Sequence, residues 1–131
     1  MKAPTARLGF FKLNVQEMEP ALAFWQQAFG FIVTMSFDED SFAEHALALP
    51  GQEQTGPSLM LVCGKDGAPV PVGPGHGPVG LFCDDIAASL AQARAAGAEV
   101  TMEPAEIGGG VKVALLKSPQ GHEIELVQLP G

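Results

Sequence analysis

The sequence predicts an α+β fold built from two βαβββ modules. Three observations carry this. Strand-like and helix-like periodicities run in the order strand, helix, strand, strand, strand, and then repeat that order. Short segments of the first half recur, in sequence, in the second: "VTM" at 33–35 and 100–102, "HALAL" at 45–49 against "VALLK" at 113–117, and "SLMLV" at 58–62 against "EIELV" at 123–127, at offsets of 65 to 68 residues. Between the halves lies a Pro/Gly-rich stretch, "GKDGAPVPVGPGHGP" (64–78), with the composition of a linker.

Taken in order, "LGFFKLNV" (8–15) alternates as a strand. A helix follows from about Met18 to Phe29, with Pro20 in its first turn and Gly30 just past its end. Met18, Leu22, Trp25 and Phe29 recur at helical spacing and predict its apolar face. Strands are expected near 31–37, 42–49 and 57–63. In the second half "GPVGLFCD" (77–84) is a strand. Asp84 or Asp85 caps a helix ending at Gly97, on which Ile86, Leu90 and Ala93 repeat the spacing of Met18, Leu22 and Trp25. Strands follow near 98–103, 110–116 and 122–128. The whole is expected to be one domain, 1–131, with module one at about 6–64, a linker at 65–76 and module two at about 77–129. A lone module leaves a sheet face uncovered, so the two should pair, within one chain or across a dimer.

Composition narrows the function classes. Apolar residues make up 47% of the chain, enough for a core without staples. Fifteen acidic against seven basic side chains give a formal charge of −8, which argues against nucleic-acid binding. No apolar run reaches the roughly 20 residues needed to span a membrane, and the N-terminal stretch lacks a signal-peptide pattern. Cys63 and Cys83 form no disulfide framework and read as reduced residues of a cytoplasmic protein. There is no GxSxG elbow and no Walker loop. "GGG" at 108–110 lies between strands and reads as a hairpin turn, not a phosphate cradle. "FDEDSF" (37–42) reads as a solvated hairpin tip.

Two segments, "LNVQEMEPALAFWQQAFGF" and "SPQGHEIELVQ", together with the repeat, resemble the vicinal oxygen chelate superfamily of glyoxalases, bleomycin resistance proteins and extradiol dioxygenases. The resemblance covers nearly the whole chain, with Ser118 where the family's closing turn usually has Asp. It implies a cupped mixed sheet with helices on the outer face, and a small-molecule site inside the cup. It also implies four ligand positions for a divalent metal that acts as Lewis acid. Carried over residue by residue, these fall on Phe10, Met60, Pro78 and Glu125. The repeat supports the placement, mapping Phe10 onto Pro78 and Met60 onto Glu125. Phe and Pro offer no donor and the Met thioether is soft, so only Glu125 keeps a ligand type. No metal and no cofactor are therefore expected.

Alternation places Leu13, Val15, Leu59, Leu61, Val79, Leu81, Ile124 and Leu126 toward the helices. It places Phe10, Lys12, Asn14, Met60, Val62, Phe82, Glu125 and Val127 on the cup face. The expected ligand contacts are Phe10, Lys12, Asn14, Met60, Val62, Phe82 and Glu125, a mostly apolar lining suited to a small organic molecule. Glu125 is the one candidate catalytic residue. Lys12 is its expected ion-pair partner; without a partner, burial would raise its pKa toward general acid or base work.

The leading expectation is thus a homodimer binding a small organic ligand without the family's metal. An alternative is a metal-dependent lyase, isomerase or dioxygenase with a displaced site, combining Glu125 with His76 or His45. That needs the fifth strand to extend back to His76. A third reading is a scaffold whose cup is packed solid by Phe10, Met60 and Phe82. The simpler readings of the histidines are a linker residue (His76), a hydrogen-bonded strand residue (His45) and a polar turn residue (His122).

Overall fold

The computed structural model describes residues 7–73 and 75–131. Its elements run β1 (Phe10–Val15), α1 (Met18–Phe29), β2 (Ile32–Asp38), β3 (Phe42–Ala48), β4 (Ser58–Gly64), β5 (Val79–Phe82), α2 (Ile86–Ala95), β6 (Glu99–Gly108), β7 (Val111–Lys117) and β8 (Glu123–Gln128). The strands form two four-stranded sheets, ordered β1-β4-β3-β2 and β5-β8-β7-β6. In each, one parallel pair (β1 with β4, β5 with β8) adjoins two antiparallel ones. The α+β architecture is thus the expected one.

The repeat extends to the register. Phe11 pairs with Leu59, and Val79 pairs with Ile124. Both modules carry a bulge at the same place: β2 gains a residue between Val33 and Met35, β6 between Val100 and Met102. Thr34 and Thr101 are the extra residues, so the "VTM" repeat marks a shared kink in the sheet edge. The third strand departs from the sequence match by one position. Leu47 pairs with Leu59 and Leu116 pairs with Ile124, so Leu47 corresponds to Leu116, not Leu115. A one-residue slip exchanges the faces of a strand, which only the paired register resolves.

The helices begin and end where local chemistry directs. Asp85, not Asp84, caps α2, its carboxylate accepting the Ala88 N–H at 3.1 Å. Gly30 closes α1 at φ +80° and returns its N–H to the Gln26 carbonyl at 2.9 Å. The buried face of α2 is Ile86, Leu90 and Ala93, as the spacing indicates. In α1 the deepest residues are Ala21, Phe24, Trp25 and Ala28; Met18, Leu22 and Phe29 flank them, half-buried. The face is rotated because Trp25 anchors an aromatic cluster, 5.5 Å from Phe24 and 5.7 Å from both Phe29 and Phe31.

One core joins the modules. The helices pack together, and the Gln92 side chain donates to the Gln27 carbonyl at 3.0 Å. Leu13, Val15, Leu59, Leu61, Val79, Ile124 and Leu126 from both sheets meet them, with Leu81 half-buried at the margin. Each sheet therefore turns its other face away from the shared core. No helix among the described residues is long and apolar enough to cross a membrane.

Candidate ligand-binding cup

Strand pairing lays the outer face of each sheet out in rows. In the first sheet, Lys12, Met60, Ala46 and Met35 form one row, and Asn14, Val62, Glu44 and Phe37 the next. In the second, Gly80, Glu125, Leu115 and Met102 answer the first row, and Phe82, Val127, Val113 and Ala105 the second. The expected lining residues do share these faces. Alternation along β1 and β4 alone missed Met35, Phe37 and Glu44. The alternation within "MSFD" and "FAEHALA" holds the signal, but the bulge at Thr34 breaks its phase.

The charge pattern differs from expectation. Lys12 Nζ lies 3.0 Å from Glu44 Oε2, and sits over the Phe10 ring at 5.6 Å from its centroid. The ion pair reaches across β4 at Met60 and Val62, and Met60 beneath it is buried. Lys12 is therefore not the partner of Glu125. Pairing across the sheet joins it to β3, whereas Glu125 stands in the other sheet. Glu125 is half-buried between Gly80 and Leu115, and among the described residues it belongs to no ion pair. Gly80 has no side chain, and nothing lies within 4 Å of where one would start. A notch is left beside the carboxylate.

The faces are open, not filled. Phe10 is 55% exposed and Phe82 77%, with Met35 and Phe37 also exposed. A cup packed solid within one chain, as the scaffold reading required, is not what these residues form. A separate cavity of about 410 Å³ lies between the modules mainly on the core-facing side, lined in part by Phe11, Phe31, Leu59, Val79 and Leu81, with Phe82 at its edge.

The four positions implied for a metal do not suit one. Phe10 is exposed hydrocarbon, Met60 is a buried thioether, and Pro78 precedes β5 as an exposed ring. A hard or borderline divalent ion gains nothing from these three, and one carboxylate is too few. The displaced alternatives fare no better. β5 begins at Val79, so the strand does not extend to His76. His45 sits in the row of Leu61 and Leu13, on the face opposite Glu44, with Nδ1 2.7 Å from Ser36 Oγ. Among the described residues no three His, Cys, Asp or Glu side chains are grouped to hold an ion.

The closing turn is built as its sequence suggests, with serine doing the work. Ser118 Oγ accepts the His122 N–H at 3.1 Å, and Ser118 N–H reaches the His122 carbonyl at 2.9 Å. Gly121 supplies the left-handed residue at φ +96°. His122 is no exposed turn residue but is buried, and His76 packs against it. Burial holds the His122 ring below the usual histidine pKa. His76 beside it adds to the effect, and a hydrogen bond to the Asn14 backbone partly opposes it.

The fold agrees with what is similar to this chain. A family model described as the Glyoxalase/Bleomycin resistance protein/Dioxygenase superfamily matches residues 7–126. A Vibrio cholerae protein named probable lactoylglutathione lyase is 30% identical over 119 residues, covering 88% of this chain and 86% of its own. Glyoxalase I from Zea mays superposes with a TM-score of 0.85 at 21% identity over 95% of this chain, which spans 45% of the maize chain. An antibiotic binding protein from Streptomyces, TnmS3, superposes with a TM-score of 0.73 at 21% identity, over 98% of this chain and all of that one. The chain belongs to the Glyoxalase/Bleomycin resistance protein/Dioxygenase superfamily.

Proposed function

We propose that this protein binds a small organic molecule in a cup that works without the superfamily's metal centre. One observation carries the reading: of four repeat-related positions, three hold Phe10, Met60 and Pro78, which cannot ligate a hard divalent ion. What replaces the metal is apolar and aromatic surface with one unpaired carboxylate. Phe10, Val62 and Phe82 contact the body of the ligand, and Met60, expected among the contacts, is instead buried beneath the Lys12–Glu44 pair. Asn14 and Glu125 meet its hydrogen-bond donors, and Lys12 is held back by Glu44. The antibiotic binding protein of the same fold supports a binding role.

The cup is completed by a second copy of the chain. Apolar side chains stand exposed on the outer faces of both sheets, Phe10, Met35 and Phe37 on one and Phe82 on the other. Such faces mark association surfaces. A two-fold dimer sets the first module of each protomer against the second module of its partner, closing two equivalent cups. The excess of acidic groups argues against a nucleic-acid partner. The two free cysteines suit a reducing compartment, the cytoplasm.

The second reading, a metal-dependent lyase, rests on the Vibrio cholerae relative's name and on Glu125. One experiment separates the two. Protein treated with EDTA is screened by thermal shift against small aromatic compounds, and lactoylglutathione lyase activity is assayed with Ni²⁺ or Zn²⁺ supplied. Ligand stabilisation that survives EDTA, with no turnover in the assay, is the expected result. Binding that needs metal, or turnover lost in Glu125→Gln, overturns it.

A further inference from the structure

Buried polar atoms without partners are few in folded proteins and call for an occupant or a function. Among the described residues there are four: Trp25 Nε1, His76 Nδ1, Gln120 Oε1 and His122 Nδ1. Trp25 lies in the core. The two histidine nitrogens belong to one corner, where the linker meets the closing turn. Gln120, in the same turn as His122, lines a neighbouring cavity instead, and the His76 ring centroid lies 5.6 Å from that of His122, the planes tilted by 58°. A cavity of about 170 Å³ opens there, lined by Lys12, Asn14, Val70, Val72, His76 and His122 among others.

We propose that His76 and His122 form a site for one borderline transition ion, Zn²⁺, Ni²⁺ or Cu²⁺. Bonds of about 2.0–2.1 Å to two imidazole nitrogens put the ring centres roughly 5 Å apart on a tetrahedral ion, close to the spacing observed. Imidazole is a donor these ions accept, and water completes the shell. A single ion would satisfy two buried nitrogens that otherwise have no hydrogen-bond partner. The burial that keeps His122 neutral also keeps it a ligand at neutral pH. The one cationic side chain in the cavity wall, Lys12, is offset by Glu44.

This site uses none of the four positions at which the superfamily's metal is implied. His76 comes from the linker and His122 from the turn before β8, so the ion would fasten the linker to the second sheet beside β1. Its role is structural, and it is independent of whether the cup binds a ligand.

The test is titration of the untagged, chelator-treated full chain with Zn²⁺, and separately with Ni²⁺ and Cu²⁺, by calorimetry. One ion per chain is expected, with binding at least roughly tenfold weaker in His76→Gln and in His122→Gln. His45→Gln, at the third histidine, should bind as wild type. Ring ¹⁵N shifts of two of the three histidines should move on binding. No binding, or binding that both variants retain, overturns the proposal and leaves the corner to ordered water. If His122→Gln fails to fold, His76→Gln decides, since His76 lies in the linker outside every strand. Ligand stabilisation of His76→Gln in EDTA should match wild type, so failure here is distinguishable from failure of the proposed cup.

Discussion

Lys12 on β1 and Glu44 on β3 form an ion pair of 3.0 Å across the intervening strand β4. The two ends are unequal: 44% of the lysine side chain is exposed, against 9% of the glutamate. Removing the lysine strands a nearly buried carboxylate, whereas removing the carboxylate leaves a lysine that still reaches water. Lys12→Met should therefore cost about 1–2 kcal/mol, less than for a fully buried pair because solvent screens the lysine. Glu44→Gln should cost less than Lys12→Met. Urea unfolding of both variants and of the double variant checks this. Equal losses, or an additive double variant, would contradict the asymmetry.

Glu125 should matter to binding and not to folding. It is half-buried, flanked by Gly80 and Leu115, and outside every ion pair among the described residues. Glu125→Gln should change unfolding free energy by no more than about 0.5 kcal/mol. Its affinity for a ligand presenting an amine should fall about tenfold, the loss of one charge-assisted hydrogen bond. Calorimetry with the compound found by thermal shift reads this, and unchanged affinity removes Glu125 from the site.

The exposed aromatic residues make a prediction about assembly. Phe82, 77% exposed, and Phe10, 55% exposed, stand on opposite modules. Light scattering coupled to size exclusion should find a dimer for the wild type. Phe82→Asp and Phe10→Asp should each shift it toward monomer, with little change in secondary structure by circular dichroism. A wild-type protein that is monomeric at assay concentrations would refute the shared cup.

His122 sets a pH dependence of stability. Its folded pKa lies below that of the unfolded chain because burial disfavours the charged ring, with His76 adding to the effect. The unfolded state then takes up its proton first as pH falls. This contribution is fully present above about pH 6.5 and is lost as pH drops through the lower folded value. In chelator-treated protein the melting temperature should fall between pH 7 and 5, and fall less steeply in His122→Gln. A variant with the wild-type slope would show that another group dominates.

What sequence alone determined here is what local rules control. The order of elements, the helix caps near Asp85 and Gly30, the Gly-rich hairpin and the faces of β1, β4, β5 and β8 follow from periodicity and turn chemistry acting over a few residues. The internal repeat added long-range information, since a register matched between halves places Met60 opposite Glu125 in the duplicated plan. Tertiary structure decided what depends on neighbours from distant strands. Lys12 found Glu44 because β4 brings β1 and β3 within one side-chain length. The bulge at Thr34 shifted β2 so that Met35 and Phe37 joined the outer face. Trp25 rotated the buried face of α1 by gathering Phe24, Phe29 and Phe31. The linker, which reads as glycine-rich and featureless, carried His76 to a buried histidine 46 positions later. Such pairings are set by packing between segments far apart in the chain, and no local pattern encodes them.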